Sequence, residues 1–179
     1  MKKATIIYLS VLFIIVVTAC KPSINENREK IAKFEKEILA PNVAFDSVKV
    51  KQLIGLYIDF ADKFPNDTNA GKYLFSASGL AVNISKYQQS INLLDRIIAN
   101  YPKVKYIPDC IFLKAFIYDD KLKDFKNASK FYNEVIEKYP DNDLAPAAKA
   151  SMQTLGVPAE VLIKAFEQQK TLKVDTIRS

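Results

Sequence analysis

The sequence predicts an all-α fold, an α-α superhelix of about three stacked helix pairs, and three observations carry that prediction. Glycine is scarce, with four in 179 residues, too few for the tight turns that a chain of β-hairpins requires. Three aromatic–proline pairs, Phe64-Pro65, Tyr101-Pro102 and Tyr139-Pro140, stand 37 and 38 residues apart. The segment before each pair carries the same apolar register.

That register is clearest before Tyr101, where apolar or small residues fall at Tyr87, Ser90, Ile91, Leu94, Ile97 and Ile98. Stepping back 37 residues gives Val50, Leu53, Ile54, Tyr57, Phe60 and Ala61; stepping forward 38 gives Phe125, Ala128, Ser129, Tyr132, Val135 and Ile136. Each set is the stripe of an amphipathic helix. Three stripes in phase with one terminator indicate internal repetition.

Six residues beyond each proline comes Gly71, Pro108 or Pro146. Proline opens helices and is excluded from their interiors, so each of these segments reads as a loop between two helices. First helices follow near 70–83, 107–121 and 144–155, and second helices span 84–101 and 122–139. Ser85-Lys-Tyr-Gln88 fits a capping box, and Asp124 is the expected N-cap one repeat later. The resulting unit is helix–turn–helix, 37–38 residues long.

The first 19 residues differ in kind. Lys2 and Lys3 precede an apolar run of fifteen residues from Thr5 to Ala19, the form of a secretory leader. The competing reading, a membrane-spanning helix, needs roughly 20 apolar residues, and this run ends at Cys20-Lys21-Pro22. Val17-Thr18-Ala19-Cys20 resembles the bacterial lipobox. The resemblance implies cleavage before Cys20, a diacylglycerol thioether on its sulfur and an acyl chain on its amine, an anchor that holds stably. An ordinary cleaved leader with an incidental cysteine is the alternative. Lys21 is not the aspartate that retains such proteins in the inner membrane, so the resemblance points to the outer membrane, with the chain facing the periplasm. Four segments follow: a leader over 1–19, a lipidated tether with a short helix over 20–46, repeats over 47–170 and a tail over 171–179.

With Lys2 and Lys3 removed, 24 basic residues face 20 acidic ones, a net charge of +4. The charges are interspersed, which argues for a solvated surface and against nucleic acid as a partner. If Cys20 carries lipid, Cys110 is alone, and its apolar neighbours Ile111-Phe112-Leu113 mark it as a small core residue. A reactive or intermolecular thiol is the competing reading. The chain has no histidine, hence neither the commonest general base nor an ordinary zinc site. Asp141-Asn-Asp143 lacks the glycine and glutamate of a calcium loop and reads as an acidic helix start. No cofactor or metal is expected, and nothing in the sequence argues for an enzyme.

The repeat resembles the tetratricopeptide repeat (TPR), usually 34 residues long. Ser78 and Ala115 match its small residue in the first helix. Tyr87 and Phe125 match the aromatic opening the second, Ser90 and Ala128 the small residue after it. Leu94 and Tyr132 match the large apolar position, and Pro102 and Pro140 the proline. The units here are longer, Ile97 and Val135 replace a late alanine, and the glycine at the helix turn is absent. Tyr139-Pro-Asp-Asn-Asp-Leu-Ala-Pro is similar to the extended repeats of envelope lipoproteins and periplasmic scaffolds of the BamD and Tol-Pal-associated division-coordinator type.

The resemblance, which covers roughly residues 47–156, implies that first helices line a concave groove for a peptide or partner helix. Carried onto this sequence, the groove positions are Lys72, Phe75, Gly79 and Asn83, then Asp109, Phe112, Phe116, Asp119 and Asp120. Aromatics flanked by charge suit such capture, although Phe112 and Phe116, four apart, can equally be core. The expected function is a lipid-anchored, non-enzymatic scaffold for envelope proteins; a peptidoglycan-associated or small-ligand-binding lipoprotein is the alternative.

Overall fold

The computed structural model describes residues 23–38, 40–41, 44–158, 160–165 and 167. The leader, Cys20 and the 171–179 tail lie outside the described residues. The described secondary structure is helical with no strand, and consecutive helix pairs stack along the chain as an α-α superhelix of the TPR-like kind. In order come α1 (Ile24–Ile38), α2 (Ser47–Lys63), α3 (Ala70–Asn83), α4 (Tyr87–Asn100), α5 (Ile107–Phe116), a π-helical turn (Ile117–Lys121), α6 (Phe125–Lys138) and α7 (Leu144–Thr154). Residues 160–165 are also helical.

Each helix packs on its chain neighbours, and the stripes read from the sequence are what they bury, except at Phe125, which opens α6 and stays 40% exposed. Leu53, Phe60 and Ala61 of α2, Leu94 and Ile97 of α4, and Ala128 and Val135 of α6 are fully buried. Between them sit the small and branched residues of the first helices, Leu74, Ala77 and Ser78 from α3 and Cys110 and Ala115 from α5. A repeat array has no central core; its apolar surface is buried between neighbours.

The three interhelix linkers share one backbone path. Phe64, Tyr101 and Tyr139 leave the helix at φ/ψ of −129/58, −128/48 and −133/53. The N–H groups of these residues close on the carbonyls of Phe60, Ile97 and Val135, and those of Asp67, Val104 and Asn142 on the carbonyls of Phe64, Tyr101 and Tyr139. The cause is the following proline, whose ring disfavours α conformation in the residue before it and cannot continue the helix. Asp67 and Asn142 also accept, through their side chains, from the N–H groups of Asn69 and Leu144 at 2.8 and 2.9 Å. Val104 has no oxygen to offer at the equivalent place.

The helix turns correct one sequence expectation. Ser85 does not cap α4; Lys86 is the N-cap residue, with no side-chain hydrogen bond, and Gln88 donates forward to Asn92 at 2.9 Å. Ser85 instead closes α3 in left-handed conformation, φ 58. Its N–H reaches the Val82 carbonyl and that of Lys86 reaches the Ala81 carbonyl, the pair of bonds that defines a Schellman motif. Lys123, 38 residues on, repeats the conformation at φ 53. These are the turn positions where glycine is missing, and the backbone takes up left-handed geometry without it. Asp124 does cap α6, accepting from the Asn127 N–H at 3.1 Å. The reciprocal capping box lies instead at Ser23-Ile-Asn-Glu26, which has the Ser-x-x-Glu form. Asp46 caps α2.

The short helix expected within 20–46 is α1, and it joins the stack. Ile31 is buried, the Tyr57 hydroxyl donates to Glu35 at 2.6 Å, and Arg28 pairs with Asp67 of the first linker at 2.5 Å. Burial and then the Glu35 bond push the Tyr57 phenol above its ordinary range. At the other end of α1, Glu37 meets Lys49 near the start of α2. The two helices therefore run antiparallel.

Two measurements test this account by chemical denaturation. Leu94→Ala, at a fully buried site, should cost about 2–5 kcal/mol. Ser85→Gly and Lys123→Gly should each stabilise by about 0.5–1 kcal/mol, since left-handed geometry costs a side-chain-bearing residue about 1–2 kcal/mol and glycine's extra unfolded freedom returns part of that.

Candidate partner-binding groove

The groove positions lie on the first helices of successive pairs, α3 and α5. They divide into residues that face solvent and residues held by packing. Lys72 and Asn83 are exposed on α3, and Gly79 is half-buried with open space where a Cβ would project. Phe75 is half-buried, its ring 5.4 Å from that of Tyr106 and tilted against it. On α5, Asp109 is half-buried in the first turn, where a carboxylate is favoured by the helix dipole. Phe112 is half-buried with its ring edge-on to Tyr132 at 5.5 Å. Phe116 is 37% exposed, and the Lys121 ammonium sits 5.6 Å from its ring centre.

Asp119 and Asp120 fall within the π turn and do different things. Asp119 is half-buried, and its carboxylate accepts from the Tyr132 hydroxyl at 3.3 Å. Asp120 is exposed and pairs with Lys121 at 2.7 Å and Lys123 at 3.7 Å. The Lys121 hydrogen bond leads the causes that hold the Asp120 carboxyl below its ordinary range. The structure thus leaves Lys72, Asn83, Asp120 and Phe116 accessible, and commits Phe75, Phe112 and Asp119 partly to packing.

Tyr132 is the residue that organises this region. It is buried, it meets both Phe112 and Asp119, and burial raises its phenol above the ordinary range. Its place in the apolar stripe was legible, but its two partners on α5 and the π turn were not. A second brace had no sequence signal. Lys114, its side chain 6% exposed, pairs with Asp95 of α4 while its ammonium lies 3.9 Å from the Phe131 ring centre on α6. It locks one helix pair to the next. Arg96 of α4 and Asp62 of α2, 2.7 Å apart, link successive second helices in the same way.

Cys110 is free and fully buried, as core packing requires, and burial pushes its thiol up to about 12. It stays a neutral thiol at any physiological pH. Among the described residues no cluster of His, Cys, Asp or Glu could hold a metal ion. No helix of the described residues is long and apolar enough to cross a membrane.

Against this geometry, the tetratricopeptide repeat family model matches residues 109–142. That stretch is α5 from its third residue, the π turn, α6 and the opening of the third linker, most of one repeat unit. No curated protein matches the chain. Repeats of this kind generally bind protein partners or peptides.

The division between exposed and packed aromatics is testable by thermal or chemical melting. Phe116→Ala should change stability by no more than about 0.5 kcal/mol, the range of surface substitutions. Phe112→Ala removes the ring seated on Tyr132 and should cost about 2 kcal/mol or more.

Proposed function

We propose that this chain is a lipid-anchored, periplasm-facing scaffold lipoprotein of the bacterial outer membrane that holds envelope proteins together without catalysing a reaction. One observation carries the scaffold reading: on the first helices of the stacked pairs and the π turn, Lys72, Asn83, Asp120 and Phe116 are exposed, Asp120 while paired with Lys121 and Phe116 with that lysine beside its ring. An exposed aromatic flanked by charges of both signs suits a peptide or helix with apolar anchors and a polar border. The absence of histidine from the sequence supports a non-enzymatic role.

Anchoring rests on the leader form and on Val17-Thr18-Ala19-Cys20. The resemblance of 139–146 to envelope scaffolds supports the same compartment. A small-ligand-binding lipoprotein would use an enclosed pocket with converging polar groups. The roughly 500 Å³ groove between the second and third linkers opens to solvent and is walled largely by prolines and aliphatic side chains, which favours the scaffold.

Two experiments on the full chain test the proposal. Mass spectrometry of the mature N-terminus should find cleavage before Cys20 with added acyl mass, and Cys20→Ser should lose both the acyl mass and the membrane fraction. A Cys20→Ser protein still cleaved after Ala19 and still sedimenting with membranes would overturn the anchor. In-cell crosslinking should recover the same envelope proteins from repeated preparations of wild type, and Phe116→Ala combined with Lys72→Glu should lose them while melting normally. Retention of every partner by that variant would remove the first-helix face from the proposal.

A further inference from the structure

The stack has two long edges. One carries the linkers 64–69, 101–106 and 139–143; the other carries the helix turns at 84–86 and 122–124. We infer that the linker edge rests on the lipid surface, with the groove between the second and third linkers set against anionic phospholipid headgroups. This inference rests on the anchor at Cys20 proposed above.

The tether is the first reason. Cys20 stands four residues before Ile24, where α1 begins. Fully extended chain covers at most about 3.6 Å per residue, so the anchor lies within about 14 Å of the α1 start. The α1 start is itself fixed to the linker edge, because Arg28 in its second turn pairs with Asp67 of the first linker at 2.5 Å, and Asp67 is largely buried. The Glu37–Lys49 pair holds the other end of α1 at the turn edge.

Helix length is the second. The second helices, α2, α4 and α6, run 17, 14 and 14 residues, or about 21–26 Å at 1.5 Å per residue. A tether of about 14 Å cannot pass along helices of that length. The turn edge, with its exposed Leu122 and Phe125, therefore cannot be brought down onto the bilayer by inverting the stack. Those side chains then lie on the edge away from the membrane.

The groove gives the linker edge something to set against lipid. Its volume is about 500 Å³; Pro102, Val104, Pro108 and Pro140 wall it, and Lys105 and Lys138 border it. Asp141 is the carboxylate in the lining. Lys105 is exposed and has no ion-pair partner among the described residues, while Lys138 pairs at 2.8 Å with Glu134 on its own helix. Ammonium groups beside apolar walls match a phosphate with glycerol and acyl-chain carbons below it, and each basic side chain near an anionic leaflet adds attraction.

The test uses the full acylated chain in vesicles of phosphatidylethanolamine and phosphatidylglycerol with brominated acyl chains. Lys103→Cys marks the linker edge and Lys86→Cys the turn edge, each carrying a bimane label. Cys110 is fully buried and takes no label, and the sulfur of Cys20 is occupied by lipid. The probe at 103 should lose most of its emission to bromine while the probe at 86 keeps its own. Adding Lys105→Glu and Lys138→Glu to the 103-labelled chain should restore much of the emission, with acyl mass and sedimentation unchanged. Stronger quenching at 86, or equal behaviour at both positions, would overturn the inference while leaving the anchor intact. Quenching at 103 that ignores the charge reversal would also overturn it, by removing the groove from the contact. A mature N-terminus without acyl mass would show that the anchor itself fails, and the inference with it.

Discussion

The architecture depends on a single steric rule applied three times: a proline is tolerated in a helix's first turn but ends a helix that runs up to it, because its ring crowds helical geometry in the residue before. At Phe64, Tyr101 and Tyr139 that rule stops a helix at nearly the same dihedral angles. The hydrogen bonds that follow then repeat from linker to linker. Because each stop has the same shape, each next helix departs in the same direction. Successive pairs stack in one sense, and their first helices fall on a common face. At the second stop the aromatic ring adds to this by packing on the pair before it; Tyr101 and Tyr106 crowd Gly71 of α3 closely enough that a Cβ there would lie 2.7 Å from the Tyr106 hydroxyl and 3.3 Å from the Tyr101 ring.

Most of this was legible because it is local. The stripe from Tyr87 to Ile98 and its copies are set by helix periodicity, and the prolines announce where each stripe ends. The Ser85 capping box failed for an equally local reason. Ser-x-x-Gln marks a helix start only when serine has extended backbone, and this serine is left-handed because it finishes the helix before. Nothing in the residue types distinguishes the two. The Lys114–Asp95–Phe131 brace and the Arg28–Asp67 pair were not legible at all. Each joins residues whose proximity exists only after helices have stacked, and a lysine between Leu113 and Ala115 reads as surface until its neighbours are known.

The candidate site shows the same limit. Resemblance placed Phe75, Phe112 and Phe116 on the first helices, and they are there. Which of them is available to a partner depends on what stands opposite: Tyr106 and Tyr132 occupy two of the three, and Phe116 has Lys121 beside it. The side chains already engaged serve the stack, and the proposed scaffold role falls to the few that stay accessible, as binding surfaces draw affinity from a few anchors.

The π turn at Ile117–Lys121 explains how one repeat can be longer than another without disturbing either neighbour. The first helices α3 and α5 begin 37 residues apart, whereas the left-handed residues Ser85 and Lys123, and the starts and ends of α4 and α6 that follow them, are 38 apart. In one turn the Lys86 N–H reaches back five residues to Ala81; in the next the Asp124 N–H reaches back six, to Tyr118. The extra residue has been absorbed as a widening of the last helical turn, the usual signature of a single insertion in an α-helix. Length can therefore drift at the rim of this protein while the backbone path at its linkers is kept. Lineages of such arrays can vary their outer turns, and whatever those turns touch, at little cost to the stack that carries them.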